Sequence, residues 1–183
     1  GRALRLGALM FCWLTALTPA LIAQETPAPE PLQRGFSSLE LGMSLEAAQR
    51  ALEGDESFAY RGEPDVQFLP RTEIPIIETD GRAFIDRAVL QFHEEELYIL
   101  SLLLDRTRLG YFAVYEGLVE QYGTPTRLDP SQAVWEDEQT RVSLERPLTV
   151  KYLDLATFTG IVDSGRMEEA LDEITRERFL EQL

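Results

Sequence analysis

Residues 88–105 read AVLQFHEEELYILSLLLD, and this stretch decides the fold. Two apolar runs, Ala88–His93 and Leu97–Asp105, flank the acidic triplet Glu94, Glu95 and Glu96. That is the pattern of a β-hairpin. In the second run Tyr98, Leu100, Leu102 and Leu104 fall on one face, and Leu97, Ile99 and Leu103 on the other. Apolar side chains on both faces predict a strand covered on both sides, hence central in its sheet.

Working outward, the next element downstream is a helix over 110–122. Tyr111, Tyr115, Leu118 and Tyr122 line one stripe, widened by Phe112, Val114 and Val119, with Glu116, Glu120 and Gln121 opposite. Gly123 and Pro125 stop it, since a glycine just past a helix ends it and a proline cannot extend it. A meander of strands follows at Ala133–Glu136, Thr140–Arg146 and Val150–Asp154. The middle strand alternates, with Thr140, Val142 and Leu144 inward and Arg141, Ser143 and Glu145 toward water. A charged helix over 165–182, with a narrow stripe of Met167, Ala170, Leu171 and Ile174, comes last.

Upstream of the hairpin, Ser44 is a helix N-cap, with Met43 and Ala48 able to staple across it and Gly54 ending the run. Leu45, Ala48 and Leu52 share its apolar face, and Glu46 and Arg50 form an exposed pair four apart. Phe36, Leu39 and Leu41 form a short first strand or extended arm, and short strands are expected at Phe58–Tyr60, Val66–Leu69 and Ile74–Glu78. The reading is an α+β fold: helices packed on a mainly antiparallel sheet, plus a C-terminal helix. Two helix-then-strands units in succession hint at an internal duplication.

The amino-terminal part differs in kind. Arg2 and Arg5 precede an uncharged run, Leu6–Ala23, and a polar proline-bearing segment follows. Basic, apolar and small-residue parts in that order predict a secretory signal over 1–23, cleaved after Ala23 or, alternatively, Ala20. The rival is an uncleaved membrane anchor, because 18 uncharged residues approach the ~20 that span a bilayer. Residues 24–35, with Pro27, Pro29 and Pro31, are expected to be an extended linker, and 36–183 a single domain. Both readings place that domain outside the cytoplasm, in the periplasm or an equivalent exported space.

Charge and cysteine narrow the function classes. All 32 acidic residues lie beyond residue 23, so setting Arg2 and Arg5 apart from the 17 basic ones leaves the remainder at −17. Nucleic acid and anionic lipid surfaces are bound through Lys and Arg, and Lys151 is the only lysine. Nucleic-acid binding and polybasic membrane binding are therefore excluded. Cys12 is the only cysteine and lies inside the apolar run. The remainder accordingly has no disulfide, thiolate metal site or cysteine nucleophile.

Two segments carry a resemblance. LGMSLE at 41–46, followed by AQRAL at 48–52, resembles the opening of small extracytoplasmic bacterial modules. Among these are SmpA/BamE-like outer-membrane assembly lipoproteins and domains built like the β-lactamase inhibitor proteins. LVEQYGTP at 118–125, followed by Val134-Trp135, is similar to a helix-and-stop run in the same kind of domain. The resemblance implies a helix on an antiparallel sheet, no catalysis, and a partner-binding or assembly role. The chain departs from the lipoproteins in lacking their lipidated cysteine, as Met10 and Phe11 precede Cys12.

No residue type in a reaction-specific pattern appears. His93, the only histidine, sits at a hairpin turn beside three glutamates, the ordinary setting of a hydrated side chain. Glu94–Glu96 and the trio Glu136, Asp137 and Glu138 are two acidic turns without the loop that shapes a calcium site. There is no G-x-S-x-G or S-x-x-K motif, no P-loop and no dinucleotide fingerprint. Tyr111, Phe112, Tyr115, Tyr122, Trp135 and Tyr152 are expected in the helix–sheet core, or alternatively around a ligand pocket. No catalytic, cofactor-binding or metal-ligating residue is assigned. The expectation is a non-catalytic envelope protein that binds another envelope protein or assists assembly. A small-ligand binder using the aromatic helix–sheet interface is the alternative, and a hydrolase ranks last.

Overall fold

The computed structural model describes residues 31–68 and 75–180. The expected signal over 1–23 and the first part of the linker lie outside these residues, as do Leu69, Ile74 and the last residues of the expected terminal helix. A two-stranded arm, β1 (Gly35–Phe36) and β2 (Leu39–Glu40), precedes α1 (Leu45–Gly54). Then come β3 (Val66–Phe68), β4 (Pro75–Asp80), β5 (Ile85–His93) and β6 (Glu96–Leu104). The second series is α2 (Tyr111–Tyr122), β7 (Arg127–Leu128), β8 (Gln132–Glu136), β9 (Thr140–Glu145) and β10 (Thr149–Asp154), followed by α3 (Leu155–Leu180).

Eight strands form one sheet in the order β3-β4-β5-β6-β10-β9-β8-β7, and every neighbouring pair is antiparallel. Each of α1 and α2 is thus followed by four strands that run from an edge of the sheet to its middle. The two innermost strands meet there, with Leu102 opposite Val150 and Leu100 opposite Tyr152. The fold is α+β with a central β5–β6 hairpin, as the sequence predicts. Its turn, Glu94–Glu95, has positive φ at both residues (49° and 69°), the backbone a two-residue hairpin loop requires.

One face of the sheet carries the core. Ile77, Ala88, Leu90, Leu100, Leu102, Val142, Leu144, Val150 and Tyr152 are all buried there, and α1 adds Ala48 and Leu52 to the same cluster. The cover expected on both faces of β6 is uneven: on the second face Ser101 is buried. Leu103 is 36% exposed and Ile99 half-buried, whereas Leu97 is buried among the core residues. The cause is a register shift: Gln91 pairs with Ile99, but Phe92 pairs with Leu97, so Tyr98 is an extra residue. A bulge of this kind reverses the alternation beyond it and turns Leu97 to the core side. A second shift makes Asp86 the extra residue at the other end of the hairpin and turns Ile85 the same way.

Three further expectations are revised. Ser143 is buried rather than wet, donating to Glu145 Oε1 at 3.0 Å. Phe58–Tyr60 form no strand, only an isolated bridge between Phe58 and Gly81. The terminal helix starts ten residues early, directly after β10, because the Asp154 carboxylate accepts from the Thr157 N–H at 2.8 Å and caps it.

The last residues of the proline-rich stretch are bound to the body. Leu32 donates its N–H to Asp137 Oδ2 at 2.7 Å. Arg34 pairs with Asp154 at 2.7 Å and donates to Thr140 Oγ1 at 3.0 Å. The arm thereby ties the far end of the second helix-and-strands unit to the start of the first. No helix among the described residues is long and apolar enough to cross a membrane.

Candidate functional site

Both α1 and α2 pack on the core cluster of the sheet, and the seam between the two units is not filled by either. Over that seam lies a groove of about 600 Å³, within the ~300–1,000 Å³ of small-molecule sites. Its floor is Leu102 and Leu104 from β6 with Val150 and Tyr152 from β10. Val114, Gly117, Leu118 and Gln121 of α2 form one wall. Phe36 and Ser37 of the arm, Ser57, and the β4–β5 loop from Arg82 to Ile85 complete it. The register shift at Asp86 is what brings Ile85 to this side of the sheet.

Local structure keeps the rim in place. A Cβ on Gly81 would meet the Ile85 carbonyl at 2.4 Å, so only glycine lets the loop turn this tightly. The Arg108 guanidinium lies 4.6 Å over the Phe84 ring and donates to the Ala83 carbonyl. Across the groove, Gln121 donates to Gln33 at 2.7 Å and joins α2 to the arm. Gly117 is an exception to good helix chemistry within α2. Glycine inside a helix costs ~1 kcal/mol relative to alanine, yet a Cβ here would meet nothing within 4 Å. No packing demands a glycine at this position; its effect is to leave the groove wider.

The six aromatic residues divide. Trp135 is buried, donates Nε1–H to the Gly123 carbonyl at 2.8 Å, and has Tyr115 and Tyr122 each at 6.2 Å between ring centroids. These three are core, as the helical and strand spacing predicts. Tyr111 donates its hydroxyl to the Leu144 carbonyl at 3.1 Å under the Arg146 guanidinium. Phe112 departs from the expected core, being 67% exposed. Tyr152 alone of the six lines the groove. Burial pushes its hydroxyl far above the ordinary tyrosine pKa, with Tyr122 adding to the shift. The Tyr122 hydroxyl is buried with no hydrogen-bond partner among the described residues.

His93 lies outside the groove, edge-on to Tyr98 at 6.1 Å. Of the acidic turns, Glu94–Glu95 closes the hairpin and offers the Glu95 carbonyl to the Leu45 N–H at the start of α1. Asp137 does more: its carboxylate accepts from the N–H groups of Leu32, Gln139 and Thr140. Burial pushes this carboxyl up, but those donors and the nearby Arg34 charge outweigh it and hold it below the ordinary carboxylate range. Among the described residues no group of three or more His, Cys, Asp or Glu is placed to hold a metal ion. The groove was not legible in the sequence, because it consists of what two helices leave uncovered. Gly117 was the one available signal.

No curated protein and no solved structure matches the chain. A family model does: that of the TP0088 domain matches residues 34–164, from the arginine that anchors the arm to the early turns of α3. The chain therefore belongs to the TP0088 domain family.

Proposed function

We propose that the protein is an exported, non-catalytic binding module of the cell envelope, and that the seam groove is its ligand site. The observation that carries this reading is the apolar groove together with Gly117, a helix-interior glycine that lines it and where a Cβ would meet nothing within 4 Å. The polar groups around the groove are Gln33, Ser37, Ser57, Arg82, Gln121 and Tyr152, with no His, Asp, Glu or Lys among them, and burial keeps the Tyr152 hydroxyl protonated, which supports binding over catalysis. Export rests on the basic, apolar and small-residue order of residues 1–23.

Titration with the neutral apolar fluorophore N-phenyl-1-naphthylamine tests the groove. Saturable binding that Gly117→Trp abolishes, with circular dichroism unchanged, is the expected result. Absence of saturable binding, or binding that ignores Gly117→Trp, overturns it.

A second reading, a protein partner docked on α3, has its own support. Met167 is 66% exposed on that helix, and the resemblance to envelope assembly modules points the same way. Cross-linking from position 167 in intact cells is expected to capture one defined envelope protein. A ladder of unrelated products would remove this reading.

A further inference from the structure

The groove's own chemistry narrows its occupant, and the inference rests on the ligand-site reading above. The floor strands β6 and β10 are the two central strands, hydrogen-bonded on both edges. They have no open ladder to offer a peptide backbone. Gln33 and Gln121 are engaged with each other. A peptide lying there would bury N–H and C=O groups without partners, at a cost hydrocarbon does not incur. The interior therefore suits a chain of methylenes.

The rim is different. Arg82 is the one charged side chain among the described residues lining the groove. It is exposed, and no carboxylate among the described residues forms an ion pair with it. In a chain of net charge −15 a cation at the mouth of an apolar groove is a local exception, and it complements an anionic head. The loop that carries it is fixed by the Gly81 turn and by its own N–H, which donates to the Ser57 carbonyl at 2.9 Å.

We propose that the groove binds one long-chain fatty acid. The acyl chain lies over Leu102 and Val150, and the carboxylate meets Arg82 at the rim. The volume of about 600 Å³ admits a single such chain.

Displacement of N-phenyl-1-naphthylamine from the purified protein, below micellar concentrations, tests the assignment. Decanoate, dodecanoate and tetradecanoate are compared with dodecanol and dodecyltrimethylammonium. Affinity is expected to rise with chain length, by at most about fourfold per methylene. Dodecanoate is expected to bind about tenfold tighter than dodecanol and the ammonium more weakly still. Arg82→Ala should erase the preference for carboxylate over alcohol while leaving dodecanol binding unchanged. Arg82→Lys should retain most of the preference, and Arg127→Ala should change nothing. Equal binding of acid and alcohol, preference for the ammonium, or an Arg82→Ala protein that still selects the acid would overturn the proposal. So would an apolar peptide that displaces the fluorophore better than dodecanoate does. In all four cases the fluorophore still binds and the groove remains a ligand site. Failure of the fluorophore itself to bind removes both.

Discussion

The two helix-and-strands units solve one packing problem in different ways. In the first, α1 is joined to the hairpin at its very start. Gly42 donates to the Leu97 carbonyl at 2.8 Å, Leu97 donates to the Met43 carbonyl at 2.8 Å, and Leu45 donates to the Glu95 carbonyl at 3.1 Å. Ser44 Oγ then caps the helix by accepting from the Ala47 N–H at 3.2 Å. In the second unit α2 begins at Gly110 with no side-chain cap. It buries only Leu118 fully, resting on half-buried aromatic rings, and holds a glycine at mid-length. The same topology thus yields one helix fixed at its start and along its face, and one held mainly by its face. The groove lies along the second, where local opening costs least.

The largest test of this contrast is in the core. Leu52→Ala in α1 is expected to cost about 3–4 kcal/mol, and Leu118→Ala in α2 about 2 kcal/mol, because Leu118 already borders open volume. Chemical denaturation measures both, and equal costs would break the comparison. Native-state hydrogen exchange should show α2 amides opening before those of α1.

Acid comes next. Burial pushes the Asp154 carboxyl up, but the Thr157 N–H and the Arg34 guanidinium outweigh it and hold it below the ordinary range, as Asp137 is held. Depressed values mean that the ionised forms stabilise the fold above the unfolded carboxylate pKa of about 3.9. That contribution is lost as pH falls from there through the lower folded values. Stability is expected to fall by about 1 kcal/mol or more over this window, and Arg34→Ala should flatten the dependence. A profile unchanged by Arg34→Ala would show that the Arg34 guanidinium contributes nothing to it.

Smaller effects sharpen the same contrast. Ser44→Ala should cost about 1 kcal/mol, whereas Gly110→Ser, which supplies the missing cap, should gain a few tenths. Gly117→Ala should stabilise by up to ~1 kcal/mol and weaken binding in the groove. Thermal melts with and without the fluorophore separate those two outcomes.

The sequence made the hairpin, both amphipathic helices and the β8–β10 meander legible, since each rests on a local period that side-chain burial enforces. It could not show the extra residues Tyr98 and Asp86. A bulge changes which face a residue takes without changing composition, so Leu97 was assigned by alternation alone and Ile85 was not placed at all. The start of α3 was hidden because Gly160 and the β-branched Thr157, Thr159, Ile161 and Val162 are poor helix formers. Asp154 as a cap outweighs them. The Arg34–Asp154 pair joins residues 120 apart, and no local pattern encodes such a bond. Trp135 and its tyrosines were readable as core, but Phe112 shares their helical stripe and still faces water.

The clamp between Arg34 and Asp154 has a mechanical consequence. The chain enters the folded body and leaves its last strand at the same corner, one ion pair apart. A pull applied across those two points would load that ion pair first, together with the bonds of Arg34 to Thr140 and of Leu32 to Asp137. The strand-to-strand bonds of the eight-stranded sheet would be loaded only through these contacts.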